Sequence, residues 1–378
     1  MSERPTALVI GGGVIGASAA WELLGRGWSV ILVDQGALGG EASSAAGGML
    51  CPGAEVWDRP EWADVFALSG RLHRPWTMAL EEAGGVPVHH VGSGLLRLAA
   101  SEEAVEAMAA DAATRETPYP KLRPRFLTAA EVREVEPAVT ETAAGGLLFP
   151  SDAHLRPVAL MRCLERALRR AGCEVREGLA ALSLIERGGR VLGARTAAGD
   201  LRADLTVLAA GAWSTPLVAP WLEMPVTPVK GQVASVRAEA AVARHMLSGA
   251  AYVLPRSDHT FTVGVTVESV GFDRRATAGA LCDILGRGWA TVPALRDSVF
   301  ERTWTGLRPA SPDERPYIGP VPGLEGLIVA TAHFTYGIFL APATARIVAA
   351  LAEGEPAPLD LSPYRPERHA RSHAGTQA

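Results

Sequence analysis

The fold is decided near the start of the chain, where residues 6–34 read TALVIGGGVIGASAAWELLGRGWSVILVD. A short apolar run over residues 7–10 predicts a strand, and residues 14–24 carry the apolar spacing of a helix. Residues 30–33 predict a second strand. The stretch therefore predicts a β-α-β unit of about 30 residues.

The glycine pattern GxGxxG occupies residues 11–16, between the predicted strand and helix. Gly11 permits a tight turn, Gly13 lets a pyrophosphate approach the backbone, and Gly16 lets helix and strand pack closely. The helix N-terminus adds free N–H groups and partial positive charge. Asp34, after the second strand, offers its carboxylate to a ribose diol. The pattern predicts a dinucleotide site; the alternative is a turn that binds nothing, and the motif alone does not separate FAD from NAD.

The segment after the second strand is rich in small side chains, since residues 40–49 read GEASSAAGGM. Small side chains let the backbone lie against a flat ring system, and Ser43 and Ser44 supply hydroxyl groups. Met49 offers an apolar, polarisable contact. The alternative for the same composition is a flexible Ala-Gly loop.

Composition excludes several classes of protein. The chain has 378 residues, a net charge of -5 and 48% hydrophobic residues, which favours a globular protein with a large core. The absence of a basic run interleaved with aromatics argues against a nucleic-acid partner. The 4 cysteines form no CxxC pair, which indicates reduced intracellular thiols and no metal site. No signal peptide or membrane-spanning run is seen, so we expect a cytoplasmic protein.

Strand and helix patterns divide the chain into interleaved parts. The helix and strand patterns expected of a nucleotide-binding domain occur at the beginning, in the middle and at the end of the chain. Patterns of alternating apolar residues, typical of antiparallel strands, lie between these three parts. This arrangement predicts an α/β fold with an interrupted Rossmann-like domain beside an antiparallel β-sheet substrate domain. We expect the dinucleotide-binding domain to comprise residues 1–90, 151–220 and 306–361, and the substrate domain residues 91–150 and 221–305.

Two further patterns make local predictions. Phe261, Val263, Val265 and Val267 alternate with other residues, which predicts that they share one face of a half-buried strand. Residues 362–378 are rich in Pro, Arg and His, which predicts a disordered tail.

Further motifs extend along the chain. They are Ala209-Ala210-Gly211-Ala212-Trp213-Ser214, Pro228-Val229-Lys230-Gly231-Gln232, Tyr252-Val253-Leu254-Pro255, Val263-Gly264-Val265-Thr266-Val267-Glu268, Gly306-Leu307-Arg308-Pro309 and His333-Phe334-Thr335-Tyr336-Gly337-Ile338-Phe339-Leu340-Ala341-Pro342. As a set, over residues 6–361, they resemble the glycine oxidase branch of the D-amino-acid oxidase family. The resemblance implies a non-covalent FAD and the oxidation of a small amino acid by O2 to an imine and H2O2. The imine hydrolyses to a 2-oxo acid and ammonia, or in thiazole (thiamine) biosynthesis is used directly.

The resemblance and the glycine motif together predict which residues contact the cofactor. At Ala181 the contact uses backbone atoms, so its small side chain matters little. At Gly337 a helix N-terminus would direct partial positive charge to the flavin, although an ordinary helix start is the alternative. The predicted cofactor-binding residues are Gly11, Gly13, Val14, Ile15, Gly16, Asp34, Gln35, Ala42, Ser43, Gly47, Gly48, Met49, Ala181, Gly211, His333, Phe334, Thr335, Tyr336, Gly337, Ile338 and Phe339.

The substrate carboxylate requires an anchor, for which Arg308 is the candidate because guanidinium binds carboxylate in a two-point fork. Tyr252 is the second candidate, as a hydroxyl donor to the same carboxylate. We expect both to take part in catalysis and substrate binding, with Thr335 and Met49 also lining the substrate site. The alternatives are a surface salt bridge for Arg308 and a buried core tyrosine for Tyr252.

The chain departs from its resemblance at Thr335 and Tyr336, where the relatives often carry Arg then Asn. This replacement removes a charge from the pocket and adds an aromatic ring to it, which leaves open the choice among glycine, sarcosine, another N-alkyl glycine and a small D-amino acid. Three other functions also stay open. They are a dehydrogenase that reduces a quinone or protein instead of O2, a non-catalytic flavin-binding assembly protein, and an NAD-linked dehydrogenase. The sequence leaves the oligomeric state open, a homo-oligomer included.

Overall fold

The structure is a computed structural model that describes residues 4–240, 242, 247–249 and 251–370. The strands are β1 (Thr6–Ile10), β2 (Ser29–Val33), β3 (Met49–Leu50), β4 (Leu95–Ala99), β5 (Arg125–Thr128), β6 (Gly145–Phe149), β7 (Ala153–His154), β8 (Glu174–Arg176), β9 (Ala181–Arg187), β10 (Arg190–Thr196), β11 (Gly199–Arg202), β12 (Leu205–Leu208), β13 (Thr227–Arg237), β14 (Leu247–Ser248), β15 (Tyr252–Pro255), β16 (Thr260–Gly264), β17 (Val299–Ala310), β18 (Tyr317–Val321) and β19 (Leu324–Thr331). The α-helices are α1 (Val14–Gly25), α2 (Ala42–Ala45), α3 (Pro52–Asp58), α4 (Ala63–Gly84), α5 (Glu102–Thr114), α6 (Ala129–Val135), α7 (Pro157–Arg170), α8 (Ser214–Val218), α9 (Ala278–Thr291) and α10 (Gly337–Ala352).

The larger sheet has the strand order β11-β10-β19-β12-β1-β2-β8, with β9 and β18 paired at its side. Its central strands are parallel, from β19 through β12 and β1 to β2 and β8. Ala7, Leu8 and Val9 of β1 are fully buried, as expected for a parallel strand covered on both faces. Helices α1, α4, α7 and α10 pack together on one face around the largest core cluster.

The smaller sheet has the order β17-β13-β16-β15-β14-β4-β6-β5. Its pairs are antiparallel except β14 with β4. The predicted α/β class, with a Rossmann-like part beside a mainly antiparallel sheet, is confirmed. The domain boundaries stay a prediction, although β17 pairs with β13 as far as Ala310, beyond the expected boundary at residue 306.

The predicted shared strand face of Phe261, Val263, Val265 and Val267 is wrong. Strand β16 ends at Gly264, so the last two of these residues lie outside it. Val267 is 67% exposed, whereas Phe261 and Val263 are buried. The chain leaves strand β16 here and enters a segment, residues 265–277, whose first residue, Val265, lines the cavity described below.

The predicted disorder of the tail is wrong for residues 362–370. These residues form two short 3-10 helices, Ser362–Tyr364 and Pro366–His369. Tyr364 is buried, and the Arg368 guanidinium lies 2.8 Å from the Asp313 carboxylate. Residues 371–378 lie outside the described residues. Within the described part of the chain, no helix has the length and apolar character needed to cross a membrane.

Candidate active site

A cavity of about 500 Å³ lies where the carboxyl ends of β1, β2, β12 and β19 face the smaller sheet. Its volume is in the range of small-molecule and cofactor sites. The carboxyl edge of an open parallel sheet is also where nucleotides bind in doubly wound folds. The smaller sheet closes the other side of the cavity with side chains from β13, β15 and β17.

The first wall of the cavity is the N-terminus of α1. Gly11 has φ of +108°, and a Cβ atom there would lie 2.3 Å from the carbonyl oxygen of Ala209. Gly13 is the residue before the helix, with φ of -67°. The N–H group of Val14 donates to the Ser43 hydroxyl oxygen over 2.9 Å. Backbone N–H groups and the helix dipole therefore meet a hydroxyl group here, in a cradle suited to a pyrophosphate.

Asp34 stands at the end of β2, where it also lines the cavity. Its carboxylate accepts hydrogen bonds from the N–H groups of Gly12 at 2.6 Å and Gly36 at 2.7 Å. These two bonds fix the orientation of the carboxylate without using all its lone pairs. The arrangement leaves acceptor capacity of the kind that a ribose diol requires.

The segment of small residues after β2 forms a second wall of the cavity. Gly48 has φ of +84°, and a Cβ atom there would lie 2.3 Å from the carbonyl oxygen of Leu155. The Gly47 carbonyl accepts a hydrogen bond from the Arg256 guanidinium at 2.7 Å. Since both glycines are held closely, the segment is a shaped wall and not the flexible loop of the alternative interpretation.

The third wall is the N-terminus of α10, which follows β19. Gly337 and Ile338 at the helix start line the cavity, together with His333 and Thr335. Burial lowers the pKa of His333 to about 3, and its Nε2 lies 2.9 Å from the Thr344 hydroxyl oxygen. A neutral His333 adds no charge, so the helix dipole supplies the partial positive charge at this wall.

Tyr252 and Arg308 lie together on the wall formed by the smaller sheet. Burial raises the pKa of Tyr252 to about 12, although the nearby Arg308 opposes the shift. Burial lowers the pKa of Arg308, and its Nη1 donates to the carbonyl of Thr266 at 3.2 Å. Among the described residues, no carboxylate pairs with this guanidinium. A neutral hydroxyl donor therefore stands beside a cation that lacks an acidic partner, which is an arrangement suited to an anionic ligand.

Most of the residues predicted from the sequence line this one cavity. They are Gly11, Gly13, Val14, Ile15, Asp34, Gln35, Ala42, Ser43, Gly47, Gly48, Met49, Ala181, Gly211, Tyr252, Arg308, His333, Phe334, Thr335, Gly337 and Ile338. Their contacts with a cofactor or substrate stay predictions.

Three residues predicted to contact the cofactor do not line the cavity. Gly16 faces the turn instead, because a Cβ atom there would lie 1.9 Å from the Gly11 carbonyl oxygen. Tyr336 packs its ring 5.3 Å from that of Phe66, and Phe339 packs 5.8 Å from the same ring. Both aromatic side chains thus belong to the contact between α10 and α4. The substitution at Tyr336 therefore does not add a ring to the pocket.

Several residues of the cavity wall were not predicted. Trp213 lines it and packs 5.3 Å from the ring of Phe272. Gly231 lies under the Arg308 guanidinium, since a Cβ atom there would be 2.3 Å from Nη2. Trp213 and Gly231 stood inside motifs quoted from the sequence. Only the three-dimensional fold shows which distant residues they contact.

The cavity fits FAD, since it joins a glycine-rich phosphate cradle, a carboxylate for a ribose and a long wall of small residues. The fold and this site define a dinucleotide-binding oxidoreductase. A family model described as FAD dependent oxidoreductase (DAO) matches residues 6–351. The chain belongs to this family. FAD is therefore its cofactor, as the sequence predicted, while the absence of a covalent link stays a prediction.

Two relatives and one solved structure show which members of this family the chain is similar to. The chain is 36% identical to glycine oxidase of Pseudomonas aeruginosa, over 97% of this chain and 99% of the relative. It is 33% identical to the bifunctional protein ThiO/ThiG of a Nostoc species, over 91% of this chain and 52% of that protein. The crystal structure of glycine oxidase from Geobacillus kaustophilus matches with a TM-score of 0.90 and 30% identity, over 97% of this chain and 100% of that one.

Proposed function

We propose that this protein is an FAD-dependent oxidase of glycine or a similar small amino acid. The observation that carries the proposal is the Arg308 guanidinium, which lines the cofactor cavity beside Tyr252 and has no acidic partner among the described residues. Similarity to glycine oxidases over nearly the whole chain supports it.

The residues of the chain have separable tasks in this reaction. The Arg308 guanidinium binds the substrate carboxylate in a two-point fork, which fixes the plane of the carboxylate. Tyr252 donates its hydroxyl to the same carboxylate, and its raised pKa keeps that proton in place at neutral pH. Together they orient the α-carbon and the amine. Bound FAD supplies the redox chemistry, as the acceptor of the two electrons that leave the substrate.

The positive end of α10 faces the same cavity as these groups. Its N–H groups would stabilise negative charge that develops on the bound cofactor during oxidation of the amine. None of the lining residues has to act as a side-chain base when the amine enters neutral. His333 does not supply one, because its imidazole is buried and its hydrogen bond goes to Thr344.

The alternative candidates to glycine are other small amino acids, which Thr335 favours because it lines the cavity without adding a charge. With Arg308 as the carboxylate anchor, the uncharged wall suits an amine that carries a methyl group, as in sarcosine, or a small D-amino acid.

The relatives include the ThiO/ThiG protein, so we also propose that the imine product serves thiazole (thiamine) biosynthesis. A cytoplasmic location belongs to the same proposal, supported by 3 buried cysteines that form no disulfide.

The test is anaerobic addition of glycine, sarcosine and D-alanine, separately, to the purified holoprotein. We expect glycine to bleach the visible absorbance of FAD, and readmitted O2 to restore it with formation of H2O2. Bleaching without prompt reoxidation by O2 would indicate a dehydrogenase with another acceptor. A yellow protein that no amino acid bleaches would instead be a non-catalytic flavin protein.

A further inference from the structure

Lys230 is a charged residue in the protein interior that the proposed reaction does not use. It lies on β13 and is only 2% exposed. Burial of an ammonium group is costly unless the group is paired. Its Nζ lies 2.9 Å from Glu268 Oε2 and donates to the carbonyl of Arg275 at 3.1 Å. Both partners belong to residues 265–277, the segment that follows β16.

The same segment is attached to β13 through its backbone. The N–H groups of Lys230 and Glu268 each donate to the carbonyl of the other residue over 2.9 Å. The Gln232 side chain donates to the carbonyl of Thr277 at 3.1 Å and accepts from its N–H at 2.9 Å. Lys230 and Gln232 therefore hold the segment at two separated places along one strand.

A chain of hydrogen bonds joins Lys230 to the substrate anchor. Glu268 Oε1 accepts from the Thr266 hydroxyl at 2.6 Å, and that hydroxyl oxygen accepts from the N–H of Gln232 at 2.8 Å. The carbonyl of Thr266 in turn accepts from Arg308 Nη1 at 3.2 Å. Hydrogen bonds thus link the ammonium, the carboxylate and the Thr266 hydroxyl, and the backbone of the same Thr266 supplies the carbonyl that holds the guanidinium.

The far part of the segment reaches the nucleotide side of the cavity. The Arg274 guanidinium lies 2.8 Å from the Glu41 carboxylate, and the ring of Phe272 lies 5.3 Å from that of Trp213. Glu41 and Trp213 both line the cavity. The segment therefore spans from the substrate anchor to the cofactor wall.

We propose that Lys230 is a positioning residue for substrate binding: it fixes residues 265–277 through Glu268, and the Thr266 carbonyl on that segment orients the Arg308 guanidinium. The inference rests on the proposed function, in which Arg308 binds the substrate carboxylate. A fork that is held in the correct plane loses less freedom when the carboxylate arrives.

The carboxylate of Glu268 is held by hydrogen bonds from both of its neighbours in this path. Burial opposes its ionisation, but the hydrogen bonds from Thr266 and Lys230 outweigh that effect and lower its pKa. Removing the ammonium would leave this carboxylate without its cation, two residues from the carbonyl that holds Arg308. Loss of Lys230 should therefore disturb the anchor and leave the cofactor cradle at α1 unchanged.

The experiment compares the wild-type holoprotein with Lys230→Met, Glu268→Gln and, as a matched control, Val267→Thr. Val267 lies between Thr266 and Glu268 with its side chain 67% exposed. The measurements are the Kd of acetate, a carboxylate without an amine, from the shift in FAD absorbance, and KM and kcat for glycine. Melting temperature and FAD content are recorded for every variant.

We expect Lys230→Met to raise the Kd of acetate and the KM of glycine by about 10-fold, with kcat within about 2-fold of the wild type. Glu268→Gln should raise both constants by a smaller factor, and Val267→Thr should leave them unchanged. A purely structural ion pair would lower the melting temperature and leave the Kd of acetate unaltered, which overturns the inference. If Lys230→Met does not fold, an unaltered Kd in Glu268→Gln overturns it equally.

Crystal structures of the wild type and Lys230→Met separate this inference from the proposed function. We expect Arg308 Nη1 to leave the Thr266 carbonyl in the variant. An unmoved guanidinium contradicts the positioning role whether or not glycine is a substrate. A wild-type protein that neither binds acetate nor reacts with glycine contradicts the proposed function alone.

Discussion

The two ends of the cavity are built in different ways. At the phosphate end, between α1 and the segment of small residues, the functional groups are backbone N–H groups exposed by glycines. At the substrate end, the groups are side chains of β15 and β17 that lie over glycines of neighbouring strands. Gly264 leaves room for the ring of Tyr252, and Gly231 leaves room for the Arg308 guanidinium.

The difference separates cofactor binding from substrate binding. A backbone cradle depends on the path of the chain, so a single added side chain can block it, and its charge is only the partial charge of a helix end. A side-chain anchor depends on one formal charge and on whatever orients that charge. Variants at the phosphate end should therefore lose FAD. Variants at the substrate end should keep FAD bound and lose affinity for the substrate.

The largest effect is expected at the phosphate end. Gly13→Val keeps an allowed backbone conformation, since φ is -67°, but places a branched side chain near the Ser43 hydroxyl. The variant should fold and lose its FAD, measured as the ratio of flavin to protein absorbance. Gly25→Ala at the other end of α1, where a Cβ atom meets nothing within 4 Å, is the control and should stay yellow. A yellow Gly13→Val would refute the cradle.

The next effect is expected at the substrate end. Arg308→Ala should keep FAD and lower kcat/KM for glycine by at least about 100-fold, because the charged two-point contact is lost. The control is Arg302→Ala, which removes an exposed guanidinium from the same strand and should change little. Steady-state oxygen consumption measures both. An unchanged KM in Arg308→Ala would show that Arg308 does not bind the substrate carboxylate.

A smaller loss is expected for the hydroxyl donor. Tyr252→Phe should raise KM by at least about 10-fold, since one hydrogen bond to a charged group contributes roughly 1.5–3 kcal/mol, and should retain FAD. Because the pKa of Tyr252 is raised to about 12, its hydroxyl stays protonated at lower pH. The ratio of the KM of Tyr252→Phe to the KM of the wild type should therefore not vary with pH below about 12. Tyr119→Phe, outside the cavity lining, serves as control. A KM ratio that changes near neutral pH would assign the hydroxyl another role.

The smallest effect concerns protein stability and depends on Glu55, which lies on α3. Burial, reinforced by Asp58, raises the pKa of Glu55 from 4.5 to about 7, although Arg59 and Tyr336 oppose the shift. The folded state therefore holds this proton more tightly than the unfolded chain. The contribution of protonated Glu55 to the free energy of unfolding is complete below pH 4.5 and is lost as the pH rises through about 7. Glu55→Gln should remove this dependence. The melting temperature of Glu55→Gln relative to that of the wild type should therefore rise as the pH increases from 4.5 to about 7. Parallel curves for the two proteins would contradict the assignment.

The sequence predicted the phosphate end in detail because its parts lie close together along the chain. The β1–α1–β2 unit, Gly11 and Asp34 all fall within the first 34 residues, and local rules of turn and helix geometry place them. Gly16 has the packing role predicted for it, but it does not line the cavity, although the sequence also placed it among the cofactor contacts.

The substrate end was predicted only as separate residues. That Arg308 lies over Gly231 follows from the pairing of β13 with β17, in which Val229 lies opposite Arg308. That Tyr336 turns away from the cavity follows from the docking of α10 on α4, where it meets Trp62 and Phe66. Neither contact leaves a local signal in the sequence, because each joins residues more than 70 positions apart.

The most direct test is a crystal structure of the holoprotein with acetate bound. We expect FAD phosphates at the N-terminus of α1 and the acetate carboxylate within hydrogen-bond distance of both the Arg308 guanidinium and the Tyr252 hydroxyl. Acetate bound elsewhere, with Arg308 still in contact with Thr266 but not with the ligand, would contradict this assignment of the site.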